Sequence, residues 1–252
     1  VTNKQIIIDG LLINYYSVFP EKKSESKVLV FLHGWGVDST LWFKIAPSLL
    51  KKNYSLYFLD LPGFGMSQTP YTDYGLAEYK KIVCEFIKKL GLKNINLIGH
   101  SFGGSIAIKT ALDNPSFLKK IILVNAAGVR SSSLEKNIKV FFARILKPLF
   151  APSFMQPIRA RFYRMIGSEY LDIPLMSKIF AKIVAEDLTL DLPKIAIPTL
   201  IITGSDDKDT PESQAKEMNR KIKGSKLVVL PAGHFSFLDA PEEFIKELIE
   251  NI

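Results

Sequence analysis

The stretch Ile98-Gly99-His100-Ser101-Phe102-Gly103-Gly104 decides how this chain is read. Residues 94–97 before it are short and apolar enough for a buried strand, and residues 105–112 after it read as a helix. A serine between strand and helix, with glycine two residues to either side, marks a turn tight enough to strain its backbone. At Gly99 and Gly103 a Cβ would collide with the crossing chain. The strain lifts the Ser101 hydroxyl to the tip of the turn, above the carboxyl ends of the strands. The Phe102 N–H lies in the first helical turn, aimed at negative charge that develops beside that hydroxyl. Ser101 is thus a candidate nucleophile, and the rest of the chain must supply what activates it.

The 252 residues allow one large α/β domain or two ordinary ones. Hydrophobic residues make up 47% and charged residues 23%, a balance that builds a sizeable core and argues against disorder. The net charge of +8 favours acidic surfaces or anionic substrates in general. It does not point to nucleic acid, because no long basic run and no nucleic-acid module signature accompanies it. The single cysteine, Cys84, falls in a helical pattern and reads as a small core residue; with no disulfide framework the sequence reads as cytoplasmic. No apolar run is long enough to span a bilayer, and the opening residues lack a signal-like apolar segment.

Strands at 5–8 and 11–19 flank Asp9-Gly10, a hairpin turn. Residues 27–32 (KVLVFL) form a continuous apolar run, as in a strand buried on both faces of a parallel sheet. It ends in His33-Gly34-Trp35-Gly36, where glycines let the backbone approach a ligand and the Trp35 N–H offers a second oxyanion donor. His33 is read as fixing this turn through backbone hydrogen bonds. Ser39-Thr40 would cap a helix running to about residue 50. A strand at 55–59 leads into Asp60-Leu61-Pro62-Gly63-Phe64-Gly65-Met66-Ser67, a rigid loop with Asp60 as its anchor. An amphipathic helix at 77–90 ends at Gly91. Further strands are expected at 94–98, 120–125, 197–203 and 227–230, and helices at 211–222, capped by Thr210 with Pro211 first, and 241–252. The β–α rhythm breaks after Gly128 and resumes near residue 193. The expected architecture is therefore a mostly parallel eight-stranded α/β sheet flanked by helices. Residues 1–128 and 193–252 form its core, and 129–192 an inserted helical lid.

A serine is weakly nucleophilic until an oriented base takes its proton. The chain has three histidines. His100 adjoins Ser101 but its side chain points away from the tip, and His33 is assigned to its own turn. His234, in the loop after the last strand, is the one placed to reach the elbow. An acid to orient it is expected after the 197–203 strand, where Asp206, Asp207 and Asp209 all stand.

Taken together, His33-Gly34-x-Gly36, Asp60-x-x-Gly63-x-Gly65-x-Ser67, Gly99-x-Ser101-x-Gly103-Gly104, Gly204-x-x-Asp207-x-x-x-Pro211 and Gly233-His234 resemble the α/β-hydrolase fold family. They follow its order Ser…Asp…His and span almost the whole chain outside the lid. The resemblance selects Asp207 as the acid, with Asp206 as the fallback. Some relatives carry the acid after the sixth strand, where Asn125-Ala126 stands here. Relatives that dehalogenate or open epoxides use an aspartate nucleophile, which Ser101 argues against. The implied activity is carboxylic ester hydrolysis through an acyl-enzyme, with catalytic Ser101, Asp207 and His234 and an oxyanion hole of Trp35 and Phe102. It calls for no metal or other cofactor.

What substrate information there is lies in the lid. Its stripe Ile138, Phe141, Phe142, Ile145, Leu146 and Leu149 has helical spacing, and Phe141, Phe142 and Ile145 are expected to line an acyl pocket. From Lys136 to Arg164 there are seven basic residues and no acidic one, so Arg159 and Arg164 are candidates to bind an anionic group. The plain reading is a solvated face over a pocket for small to medium apolar acyl groups in a small-molecule ester. Alternatives are anionic esters or an acidic carrier protein docked at the basic lid, C–C bond hydrolysis of dicarbonyl acids, and a ligand receptor with a slow triad. The His-Gly-Trp-Gly opening with a basic lid is similar to pimeloyl-carrier-protein methyl ester esterases, although His100 and Phe102 replace the Trp and Leu of their elbow.

Overall fold

The computed structural model describes residues 1–22, 27–129 and 174–252. Eight strands form one sheet: β1 (Thr2–Ile8), β2 (Leu11–Val18), β3 (Lys27–Leu32), β4 (Tyr54–Leu59), β5 (Ile95–His100), β6 (Leu118–Val124), β7 (Thr199–Gly204) and β8 (Lys226–Leu230). Their order is β1-β2-β4-β3-β5-β6-β7-β8. The β1–β2 and β2–β4 pairs are antiparallel and every later pair is parallel. The hairpin turn at Asp9-Gly10 forms as expected, with both residues at positive φ (53° and 78°).

The helices are α1 (Ala46–Lys51), α2 (Leu76–Lys89), α3 (Phe102–Ala111), α4 (Pro174–Ala185), α5 (Glu212–Lys221), α6 (Ser236–Asp239) and α7 (Pro241–Glu250). The strand side chains alternate between two apolar layers, so strands buried on both faces read as unbroken apolar runs. Val30, Leu32, Leu97 and Ile201 join the layer under α2 and α3. Leu29, Phe31, Ile98 and Ile202 join the other, with Trp42, Leu49, Phe244 and Leu248. Helix α4, which closes the expected lid segment, buries Met176, Ile179 and Ile183 in the first of these layers.

Several local expectations change. The helix expected from Ser39 is instead a 3-10 turn (Ser39–Lys44) followed by α1, and Asp38 caps it by accepting the Thr40 N–H. Pro47 then fits the first turn of α1, where a missing N–H costs nothing. Strand β5 runs two residues further than expected, up to His100 at the elbow itself. Before α5, Pro211 occupies the capping position and makes no side-chain bond, while the Thr210 hydroxyl is engaged elsewhere. Cys84 is only partly buried rather than a core residue, and desolvation pushes its thiol up.

From β3 the chain steps to one side, to β4, and then crosses to the other side, to β5. Such a reversal leaves a crevice at the carboxyl ends of the two strands, the usual ligand site of an open α/β sheet. The loop after β3 and the elbow after β5 meet at this point.

Candidate active site

Ser101 has φ 50° and ψ −113°, outside the conformations that non-glycine residues adopt freely. The backbone around it holds that strain in place. The Ser101 N–H donates to Val124 O at 3.1 Å, and its carbonyl accepts from Gly104 N at 2.9 Å and Ala127 N at 3.0 Å. A Cβ on Gly99 would lie 2.3 Å from the Gly103 carbonyl oxygen, so the crossing that makes the elbow requires glycine. Gly34 brings the loop after β3 close as well: a Cβ there would sit 3.3 Å from the Ser101 Cβ and 2.9 Å from His100 Nδ1. Ser101 itself remains partly exposed.

The two expected oxyanion donors are the N–H groups of Phe102 and Trp35. Phe102 opens α3, so its N–H is among the amino-terminal donors that have no partner inside the helix. Trp35 follows Gly34. Their side chains share one aromatic cluster, with ring centroids 5.6 Å apart, and Trp35 also packs on Phe64 at 4.8 Å and on Phe180 of α4 at 5.0 Å.

Asp207 and His234 meet across the loops after β7 and β8. His234 Nδ1 lies 2.9 Å from Asp207 Oδ2 and 3.1 Å from Oδ1. An anionic carboxylate can only accept, so Nδ1 is the nitrogen that carries a proton toward it. The Asp207 side chain is fully buried, whereas that of His234 is 15% exposed. Burial by itself would raise the Asp207 carboxyl. The hydrogen bond and charge of His234, with two bonds from Thr210, outweigh it and hold the group well below the ordinary carboxylate range. Of the other two aspartates, Asp206 is exposed and Asp209 contributes its N–H to Asp207 Oδ1 at 2.9 Å.

Four residues around this pair escaped the sequence reading or were misread in it. Thr210, expected to cap α5, places its hydroxyl 2.7 Å from Asp207 Oδ2 and 2.9 Å from Asn125 O, and its N–H donates to Asp207 Oδ1. Asn125 Nδ2 donates to Asp207 Oδ2 at 2.7 Å, and Ser236 Oγ donates to Asn125 Oδ1 at 2.6 Å. His100 does point away from the tip, yet its ring reaches the other loop and bonds the His234 carbonyl oxygen at 2.9 Å. Burial, and then the neighbouring His234, push His100 down to about 3, so it is neutral and donates through Nε2. The one signal available for these four was position: each lies within two residues of a strand end or of a residue already singled out.

His33 behaves as expected. It is fully buried, its Nδ1 bonds Gly34 O at 2.7 Å, and its Nε2 accepts the Leu61 N–H at 3.0 Å. Asp60 is the anchor of its loop, accepting from Ser39 N, Asn14 Nδ2 and Met66 N. Ligand atoms of Asp207, Asp209 and His234 lie within 4.8 Å of one another, the one group among the described residues with metal-binding geometry. The Asp207 oxygens are already met by donors from Asn125, Asp209, Thr210 and His234, an arrangement that orients an imidazole rather than receives a cation. Phe141, Phe142, Ile145, Arg159 and Arg164 lie outside the described residues.

A strained serine stands at the switch point of this sheet, and the loops after β7 and β8 hold a histidine against a buried carboxylate. The chain belongs to the Alpha/beta hydrolase family, whose profile matches residues 29–247. It is 29% identical over 248 residues to AB hydrolase superfamily protein YisY of Bacillus subtilis, covering 91% of this chain and 92% of that one. It is also 29% identical over 256 residues to Pimeloyl-[acyl-carrier protein] methyl ester esterase of Aeromonas hydrophila, covering 93% and 98% respectively. Among solved structures, the esterase EaEST from Exiguobacterium antarcticum superposes with a TM-score of 0.75 at 27% identity, covering 96% of each chain. Among the described residues, no helix is long and apolar enough to cross a membrane.

Proposed function

We propose that this hydrolase cleaves carboxylic esters with Ser101 as nucleophile, His234 as general base and Asp207 as the acid that orients it. The observation that carries the reading is the 2.9 Å bond from His234 Nδ1 to the buried Asp207 carboxylate, which leaves Nε2 free to take the serine proton. In the first half-reaction Ser101 Oγ attacks the ester carbonyl while its proton passes to Nε2. The oxyanion is met by the N–H groups of Phe102 and Trp35, each worth about 10²–10³ in rate. His234 returns the proton to the departing alcohol, leaving an acyl-enzyme. Water then attacks that ester with its proton taken by His234, and the acid leaves as Ser101 recovers its hydrogen.

Residues 129–192 serve in this reading as a lid, with Phe141, Phe142 and Ile145 against a small or medium apolar acyl group. A second reading is supported by the similarity to a carrier-protein methyl ester esterase and by the basic run from Lys136 to Arg164. Arg159 and Arg164 would then attract an anionic or carrier-bound acyl ester. A fluorophosphonate probe tests the first reading: it should label Ser101, and an adduct elsewhere would overturn it. Matched neutral and anionic p-nitrophenyl esters at low and high salt test the second. Steering should raise kcat/KM for the anionic ester alone and weaken with salt and in an Arg159/Arg161/Arg164→Ala variant. An equal effect on both esters returns the plain carboxylesterase reading.

A further inference from the structure

Asn125 follows β6 with φ 45°, a left-handed conformation that asparagine tolerates better than most residues. Its side chain is buried and every polar atom of the residue is engaged. Nδ2 donates to Asp207 Oδ2 at 2.7 Å and to Gly233 O at 3.1 Å, while Oδ1 accepts from Ser236 Oγ at 2.6 Å. Its N–H donates to Ile202 O at 2.8 Å, and its carbonyl lies 2.9 Å from Thr210 Oγ, whose one hydrogen it shares with Asp207 Oδ2. One residue thus ties the loop that bears Asp207 to the loop that bears His234.

We propose that Asn125 is a positioning residue, an uncharged donor that sets the Asp207 carboxylate against His234. The proposal rests on the catalytic reading above. Asn125 does not touch the reacting atoms; it acts through Asp207. The residue must offer two N–H donors and one acceptor in a single plane, at this side-chain length. Aspartate matches the shape but not the chemistry. It would set a carboxylate oxygen against Asp207 Oδ2 and the Gly233 carbonyl, and two carboxylates sharing a site draw in a proton. The titratable groups around that pair are His234 in front, His100 behind His234, Asp209 on the same loop, and Asp239, which accepts the Gly233 N–H.

The test is steady-state hydrolysis of p-nitrophenyl acetate across pH by the full chain and by Asn125→Gly, Asn125→Asp and Ser101→Ala, with folding checked by near-UV circular dichroism. Glycine suits the positive φ and removes the donor. Its kcat should fall about tenfold, the scale of one hydrogen bond to a charged group, with KM and the shape of the pH profile unchanged. Aspartate can donate to Asp207 only while protonated, so Asn125→Asp should gain a descending alkaline limb that the parent lacks. A purely structural role introduces no new ionisation. Parental kcat in folded Asn125→Gly, or no added limb in folded Asn125→Asp, overturns the proposal. If either variant fails to fold, Ser236→Ala, which only frees Asn125 Oδ1, replaces it: a fall in kcat at constant KM supports the role, and parental kcat refutes it. Retained activity in Ser101→Ala would instead defeat the catalytic reading, and the role of Asn125 with it.

Discussion

Replacing Asp207 by asparagine tests the site most directly, because the structure dictates how the new amide must lie. Oδ1 accepts two backbone N–H groups, from Asp209 and Thr210, both at 2.9 Å. The amide oxygen of Asp207→Asn must stay there, which puts the NH₂ at the position of Oδ2. That nitrogen then faces Asn125 Nδ2 at 2.7 Å and His234 Nδ1 at 2.9 Å, donors both. Relief comes if His234 moves its proton to Nε2, and in that tautomer the imidazole cannot accept the Ser101 proton. The expected fall in kcat is about 10⁴-fold, with KM little changed, the scale seen when a triad imidazole is held in the wrong tautomer. A buried donor left unpaired at Asn125 costs a further 1–3 kcal/mol of stability, roughly. Both effects are measurable on one preparation, by p-nitrophenyl ester turnover and by urea denaturation. Activity within tenfold of the parent, or an equal loss in the exposed Asp206→Asn, would refute the reasoning.

Three other outcomes are expected. Ser101→Gly should abolish hydrolysis yet stabilise the fold by about 1 kcal/mol, because glycine is not strained at φ 50°; calorimetry should show a rise of about 2–4 °C, and an unchanged or lower Tm would contradict the strain argument. Gly99→Ala drives a Cβ to 2.3 Å from a backbone oxygen, so it should lose about 3 kcal/mol or more in urea denaturation, and near-parental stability would show that the elbow can relax. The folded Asp207 carboxyl lies below its unfolded value near 4, so its contribution to stability is present above about pH 4 and disappears as pH falls through the folded value. The stability gap between the parent and Asp207→Asn should therefore narrow on acidification below about pH 4, and a gap that widens would reverse the sign of that linkage.

The sheet was legible in the sequence because its signals are local. Runs such as residues 28–32 and 200–202 are apolar without interruption, and strands buried on both faces have that composition wherever they occur. The elbow was legible for a similar reason. Gly99, Ser101 and Gly103 stand within a five-residue span, and the two glycines are required where a Cβ would meet backbone. The order of Ser101, Asp207 and His234 followed from the motifs around each.

What the sequence alone could not show was which polar groups meet. Asn125 and Asp207 are 82 positions apart, Asn125 and Ser236 are 111 apart, and His100 and the His234 carbonyl are 134 apart. Thr210 shows the cost of a local reading. Read beside Pro211 it looks like a helix cap, and only the parallel packing of β6, β7 and β8 turns its hydroxyl toward Asn125 and Asp207. Hydrophobic periodicity and glycine placement are written along the chain, so the sequence by itself determined the strands, the elbow and the candidate nucleophile. A hydrogen-bond network is a matter of distance across it, and the convergence of three strand ends decided which aspartate faces the histidine and which residues hold it there.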